Sequence, residues 1–158
     1  AELAKMRPND QFDLYGPLQQ TIKELGLNLT NIHHMGIIKN IHEENFSDYD
    51  GFIFTSLFEG IPNIVLEMSQ HSLPMVLSDV GGLRDTFNED SALFCAIEED
   101  YAKTTAERFD AALTKLTAMD SDEIKALTQH AYEHVLERHS SEMYKRNAVQ
   151  LLTRNKNV

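Results

Sequence analysis

Two glutamates, Glu59 and Glu67, lie on either side of a glycine-proline turn, with seven residues between them. A carboxylate accepts two or more hydrogen bonds, so this pair suits the vicinal hydroxyls of a sugar or a ribose. Between the glutamates, Gly60 lets the backbone approach a ligand closely, and Pro62 suits the first turn of a helix. The pattern indicates a site for a polar ligand.

The predicted start of the helix adds backbone donors to these carboxylates. The N–H groups near Gly60, Ile61 and Asn63 have no partner inside the helix, and such groups favour anionic or hydroxyl-rich ligands. Glu59 lies before the helix, where its charge is favourable against the helix dipole, whereas Glu67 lies more than a turn inside. A simpler interpretation stays open on spacing alone: Glu59 caps the helix and Glu67 is a solvated helix residue.

Strand and helix patterns alternate along the chain that must position these residues. Short apolar runs predict five strands, at 12–16, 31–38, 51–56, 74–79 and 92–97. Helical spacing predicts helices at 17–25, 40–46 and 62–71, a short one from the Gly81-Gly82 turn to about 87, and one from 101 onward. A further helix is capped by Ser121, and a last one is capped by Ser140 or Ser141 and carries Ala148, Leu151 and Leu152.

This alternation predicts an α/β fold, a Rossmann-like doubly wound parallel sheet covered on both faces and followed by a helical C-terminal tail. The length of 158 residues and 42% hydrophobic content suit one domain over 1–158. In an open parallel sheet, ligands bind beyond the carboxyl ends of the strands, where Gly16, Gly36, 56–63 and 79–82 lie.

The charge balance restricts the possible partners. The chain has 25 Asp and Glu against 14 Lys and Arg, a net charge of −11, and no basic run, which argues against nucleic-acid binding. The single cysteine, Cys95, lies in an apolar run and indicates a packing role in a reducing compartment. No segment predicts a membrane span or a signal peptide, so we expect a cytoplasmic protein.

Other candidate sites are weaker. His130, Glu133 and His134 fit a His-x-x-Glu-His pattern, but no third zinc ligand follows, and surface histidines on a tail helix are the simpler interpretation. His33 and His34 alternate across a strand, so one of them points inward as a packed or hydrogen-bonded residue. No glycine-rich dinucleotide or P-loop motif is present.

The segment Phe58-Glu59-Gly60-Ile61-Pro62, followed by Leu66-Glu67-Met68, closely resembles the donor-binding half of retaining glycosyltransferases of the GT-B architecture, glycosyltransferase group 1. The two glutamates match the signature pair of that family. The segments 73–76 and 78–85 extend the resemblance. Weaker matches lie before this motif at 14–16, 32–36 and 50–52, and after it at 138–143. The resemblance therefore covers nearly the whole chain.

The resemblance implies a role for each matched residue. Glu59 is the implied catalytic residue, in contact with hydroxyls of the transferred sugar, and Glu67 would bind the ribose hydroxyls. The donor sugar and phosphates would be bound by Gly16, Glu59, Gly60, Ile61, Pro62 and Asn63. The base would lie against Gly36, Ile37 and Ile38. The resemblance also implies a nucleotide-diphosphate sugar as donor, a reaction that retains the anomeric configuration, and no requirement for a cofactor or metal.

The sequence also departs from the family pattern. The family's diphosphate-binding arginine and lysine follow the first strand of this domain, and neither Lys5 nor Arg7 fits those positions. Ser72 and Asp85 replace a usual glycine and a usual glutamate. The first strand and the acceptor-binding half are expected to be missing, so the strands at 12–16 and 51–56 either pair directly or leave a gap. The isolated chain is therefore expected to be inactive.

The resemblance predicts transfer of a hexosyl group to an acceptor glycan or lipid held by the absent half. It leaves open a peripheral association of the full-length protein with the inner membrane surface. Two other functions remain: a non-catalytic module that binds a nucleotide, a sugar or a protein, and a GT-B sugar-nucleotide epimerase. The donor base, the sugar and the acceptor do not follow from the residues.

Overall fold

A computed structural model describes residues 1–18, 20–97 and 101–146. All five predicted strands are present, each shorter than its apolar run. Their bounds are β1 Phe12–Tyr15, β2 Ile32–Gly36, β3 Phe52–Phe54, β4 Met75–Ser78 and β5 Leu93–Cys95. Each observed strand pairing is parallel, which confirms the parallel α/β class.

The helices fall between and after these strands. Their bounds are α1 Glu2–Met6, α2 Asn63–Met68, α3 Leu83–Thr86, α4 Tyr101–Thr117 and α5 Ser121–His139. Short 3-10 helices cover Ile41–Glu43 and Ser69–His71, and residues 141–146 are helical. No helix in the described part of the chain is long and apolar enough to cross a membrane.

The strands form two sheets. One sheet has the order β1-β2 and the other the order β3-β4-β5. Direct pairing of β1 with β3 is not observed in the described ranges. Side chains link the two sheets instead, because the Tyr49 hydroxyl, just before β3, donates to Asp13 of β1 at 2.7 Å. The hydroxyl oxygen of Tyr15 lies 2.8 Å from that of Tyr49.

The centre of the core is β4, in which every residue is buried. Side chains alternate along a strand, so Met75 and Leu77 face one cluster and Val76 faces another. The first cluster also holds residues of α2 and α5, which are Val65, Met68, Ala131 and Val135. The second holds residues of α4 and α5, which are Phe109, Leu113, Leu116 and Leu127. Helices therefore cover both faces of the three-stranded sheet.

The helix predicted at 17–25 is wrong. Residues 21–25 form one turn, closed by the hydrogen bond from the Leu25 N–H to the Thr21 carbonyl at 3.1 Å, and Gln19 lies outside the described residues. Thr21 caps this turn through Glu24, whose carboxylate accepts from the Thr21 N–H at 2.9 Å. Gly26 ends the turn with a φ of +66°. The local capping signals are genuine, but they enclose too few residues for a helix.

Three other predicted helix boundaries or caps differ from those in the structure. The helix predicted at 40–46 is reduced to the 3-10 turn Ile41–Glu43. The cap of α5 is Asp120 rather than Ser121, because the Asp120 carboxylate accepts from the Glu123 N–H and the Glu123 side chain returns a bond to the Asp120 N–H. Ser140 caps the following turn by accepting from the Met143 N–H at 3.4 Å. The predicted residues Ala148, Leu151 and Leu152 lie outside the described residues.

Candidate functional site

The turn after β3 rests directly on the turn after β4. The Gly82 N–H donates to the Gly60 carbonyl oxygen at 2.8 Å. A β-carbon on Gly81 would lie 1.9 Å from the carbonyl oxygen of Glu59 and 2.5 Å from that of Gly60. Gly81 also has a φ of +58°, which side chains rarely adopt. The Gly81-Gly82 pair is therefore required for this close packing of the turn that carries Glu59.

Two serines extend this contact toward the strands. Ser78, the buried last residue of β4, donates through its hydroxyl to the Ser56 carbonyl oxygen at 2.7 Å. The Ser56 hydroxyl in turn donates to the carboxylate of Glu59 at 3.0 Å. Glu59 is exposed, so its second carboxylate oxygen is available to a ligand. The carboxyl ends of β3 and β4 thus fix both the backbone and the carboxylate of Glu59.

Glu67 is positioned by α2. The helix begins at Asn63, and Pro62 is its N-cap with extended backbone rather than a residue of its first turn. Val65 and Met68 are buried and anchor the helix in the core, whereas Glu67 is half-buried. Glu59 and Glu67 thus lie on one continuous turn and helix after β3, the local structure that the sequence predicts.

A second pair of turns joins β1 to β2. The Gly16 N–H donates to the Gly36 carbonyl oxygen at 2.8 Å, and both glycines have positive φ, +133° and +86°. The side chain of Ile37 is 66% exposed. Ile38 packs against the core cluster that contains Val65 of α2. The structure therefore brings the predicted phosphate residue Gly16 directly against the predicted base-binding loop, and it joins that loop to α2 through the core.

The two histidines of β2 differ in burial, as the alternation of side chains along a strand predicts. His34 is half-buried, and its Nε2 lies 2.8 Å from the Gly16 carbonyl oxygen. His33 is exposed, and its Nδ1 lies 3.1 Å from the Asp13 carboxylate. The sequence predicts an inward histidine here, but it does not predict that the partner is Gly16.

On α5, His130 and His134 both face the loop before β5. The Nδ1 of His130 lies 3.2 Å from the Asp90 carbonyl oxygen. The Nε2 of His134 lies 3.9 Å from the Asp90 carboxylate. The pair thus fastens α5 to this loop.

Arg84, next to the Gly81-Gly82 turn, has structural contacts that the sequence does not predict. Arg84 binds the Asp79 carboxylate through two hydrogen bonds, of 3.0 Å and 2.9 Å, and also pairs with Glu89. Its guanidinium lies 3.7 Å from the centre of the Phe94 ring. The bond to Asp79 is the main cause that raises the pKa of Arg84. These contacts place Arg84 in a structural network that holds the turn after β4.

Comparisons with known proteins identify the family and the fold of the chain. The family described as "Glycosyl transferases group 1" matches residues 1–115. The O-antigen biosynthesis glycosyltransferase WbnH of Escherichia coli is 30% identical over 95 residues, which cover 60% of this chain and 28% of WbnH. The chain therefore spans less than a third of the length of that curated relative.

Solved structures are similar over nearly the whole chain. Sucrose-phosphate synthase from Thermosynechococcus elongatus matches with a TM-score of 0.71 and 20% identity, over 98% of this chain and 41% of that one. The pneumococcal O-GlcNAc transferase GtfA, in complex with UDP and GlcNAc, matches with a TM-score of 0.69 and 19% identity, over 96% of this chain and 31% of that one. At these identities the similarity shows a shared fold.

Proposed function

Because the chain belongs to the glycosyl transferases of group 1 and has the GT-B fold, we propose that it is the donor-binding half of a retaining glycosyltransferase. The full-length protein would transfer a hexosyl group from a nucleotide sugar to a glycan or lipid acceptor. The observation that carries this proposal is the Glu59 turn, which packs against Gly81-Gly82 and accepts a hydrogen bond from Ser56 at the carboxyl ends of two parallel strands. Ligands of open parallel sheets bind at such strand ends.

Each part of the site has a proposed share in donor binding. Glu59 would accept hydrogen bonds from hydroxyls of the transferred sugar, and Glu67 would accept them from the ribose. Backbone groups of Gly60, Ile61 and Asn63 would line the sugar and phosphate pocket beside Pro62. The exposed apolar side chain of Ile37 would contact the base, with Gly36 and Ile38 shaping that loop.

In the proposed step, the bond between the anomeric carbon and the diphosphate oxygen breaks, and a bond forms from that carbon to an acceptor hydroxyl oxygen. The proton of that hydroxyl passes to the departing nucleoside diphosphate. Donors that are fixed before the reaction stabilise the charge that develops on the departing phosphate, and such preorganised stabilisation is usually the largest contribution to catalysis. Gly16 would leave room for the diphosphate, because no atom of the described residues, its chain neighbours aside, lies within 4 Å of the position a β-carbon would occupy there. The resemblance implies that no metal is needed, and that further cations of the intact protein complete the site.

Ribose recognition by Glu67 is tested with two ligands. UDP is the probe nucleotide, because the GtfA structure contains it, and the other nucleoside diphosphates replace it if they bind more tightly. In the intact protein, the Kd of UDP and of 2′,3′-dideoxy-UDP would be measured for the natural sequence and for Glu67→Gln. Hydrogen bonds to a charged group contribute about 1.5–3 kcal/mol, so we expect a preference for UDP of roughly 10-fold or more. Glu67→Gln should reduce this preference strongly. An unchanged preference in Glu67→Gln contradicts the ribose role.

Sugar recognition by Glu59 is tested separately. Glu59→Gln should weaken binding of a UDP-sugar and leave the Kd of UDP unchanged, because this carboxylate contacts only the sugar. Glu44→Gln is the matched control, since Glu44 is an exposed glutamate outside the site and its loss changes the net charge equally. If both variants change the Kd of the UDP-sugar equally, Glu59 acts only through the net charge of the surface and not through contact with the sugar.

Reaction products distinguish the remaining functions. A retaining transferase releases UDP and forms a glycoside with the donor's anomeric configuration, which NMR of the product reports. An epimerase converts the sugar nucleotide without any acceptor, and a non-catalytic module binds the nucleotide without turnover. Either of those results in the intact protein overturns the proposal.

A further inference from the structure

The turn at Gly16 is positioned by polar contacts. Among the described residues other than its chain neighbours, no atom lies within 4 Å of the position that a β-carbon would occupy at Gly16 or at Gly36. Gly81, by contrast, is pressed against the neighbouring turn. Hydrogen bonds are therefore the contacts that the structure shows at the backbone of Gly16.

Two bonds hold the peptide groups of Gly16. Its N–H donates to the Gly36 carbonyl oxygen at 2.8 Å. Its carbonyl oxygen lies 2.8 Å from Nε2 of His34. A carbonyl oxygen can only accept, so Nε2 carries the proton and donates. His34 is half-buried in β2, next to the turn that it holds.

We propose that His34 is a positioning residue that fixes the Gly16 turn in the conformation required to receive the diphosphate of the donor. The bond links a side chain of β2 to the carboxyl end of β1, so the two turns act as one unit. This inference rests on the proposed donor-binding function. His34 acts through Gly16 and needs no contact with the ligand.

Three variants of the intact protein separate this role from general packing. His34→Phe keeps an aromatic ring and removes the donor. His34→Gln retains an amide N–H donor of similar reach. His33→Phe is the matched control, because His33 is the adjacent residue, points to the other face of β2 and binds Asp13 instead of Gly16.

The first measurement needs no nucleotide. Labelling with 15N-glycine restricts the amide signals to glycines, seven of which lie in this chain, and Gly16→Ala identifies the Gly16 signal. His34→Phe should shift the Gly16 amide signal and increase its hydrogen exchange, whereas His34→Gln and His33→Phe should leave it close to that of the natural sequence. An unperturbed Gly16 amide in His34→Phe overturns the inference whether or not UDP binds.

The second measurement is the Kd of UDP and of uridine. A hydrogen bond contributes about 0.5–1.5 kcal/mol net, so His34→Phe should weaken UDP binding roughly 2- to 12-fold, with a smaller effect on uridine. His34→Gln should restore most of the affinity. Equal loss in His34→Phe and His33→Phe, or equal loss for UDP and uridine, overturns the inference. If the natural protein binds no nucleotide diphosphate, the proposed function fails, while the amide measurement still decides whether His34 holds the turn.

Discussion

The amide nitrogen of Gly82 lies 2.8 Å from the carbonyl oxygen of Gly60, so the turns after two neighbouring parallel strands are hydrogen-bonded to each other. Beside this bond, the missing side chain of Gly81 leaves the space that the backbone of Glu59 occupies. The carboxylate at the centre of the proposed site is thus placed by a glycine more than twenty residues away in the sequence.

Gly81→Ala should destabilise the fold and weaken binding of a UDP-sugar. The new methyl group would collide with the carbonyl oxygens of Glu59 and Gly60, at 1.9 and 2.5 Å. Gly26→Ala is the control, because Gly26 has a similar φ of +66° but no atom of the described residues within 4 Å of its β-carbon position, its chain neighbours aside. The backbone cost of about 1–2 kcal/mol is partly offset by the lower entropy of alanine in the unfolded chain. Gly26→Ala should therefore lose about 0.5–1 kcal/mol and Gly81→Ala clearly more, measured by urea unfolding. Equal losses would mean that the close contact has no energetic weight.

Ser72→Gly should stabilise the protein. Ser72 follows the 3-10 helix Ser69–His71 with a φ of +56°, in the left-handed region that glycine adopts without steric cost. Allowing for the greater entropy of glycine in the unfolded chain, we expect a gain of about 0.5–1 kcal/mol in the free energy of unfolding. Ser72→Ala retains the β-carbon and should give no gain. Stabilisation by both substitutions would instead assign the effect to loss of the hydroxyl.

Ser78→Ala should impair the site as well as stability. The Ser78 hydroxyl donates to the Ser56 carbonyl between two strand ends, whereas the Ser69 hydroxyl donates to Leu66 in its own helical segment, at 2.8 Å. Both serines are buried, so each substitution by alanine should cost about 1 kcal/mol in urea unfolding. Only Ser78→Ala should raise the Kd of a UDP-sugar. An equal rise in Ser69→Ala would remove the link between Ser78 and the site.

Cys95 should be unreactive in the folded protein at pH 8. Burial raises the pKa of its thiol to about 11. The resulting contribution to stability is fully present below the pKa of an unfolded thiol, about 8.5, and is lost as the pH rises through 11. Reaction with a thiol reagent should therefore be slow in buffer and rapid in urea. Fast labelling of the folded protein at pH 8 would contradict this burial.

The signals that identify the fold and the carboxylates are local in sequence. Apolar runs located every strand, and the Glu59–Glu67 spacing located one turn-and-helix unit. The contacts that hold this unit join residues far apart in the sequence. The identities of Gly81, Gly82 and Ser78 do not indicate which distant residues they contact. A glycine pair alone predicts only a turn.

The helix errors have a physical reason as well. Thr21 and Glu24 form a real cap, but Gly26 closes the turn after a few residues, and capping energy alone does not propagate a helix without buried contacts. At α5, both Asp120 and Ser121 are good capping residues. The reciprocal bond with Glu123, three residues after Asp120, decides between them.

The division of five strands into a pair and a triplet has a consequence for the number of sheet edges. A continuous five-stranded sheet has two edges, whereas these two sheets have four, among the residues that the structure describes. Each strand edge carries backbone groups that can template pairing with another chain. In the described residues, the bond from Tyr49, in the loop before β3, to Asp13 of β1 joins the two sheets through a side chain where no backbone pairing is observed.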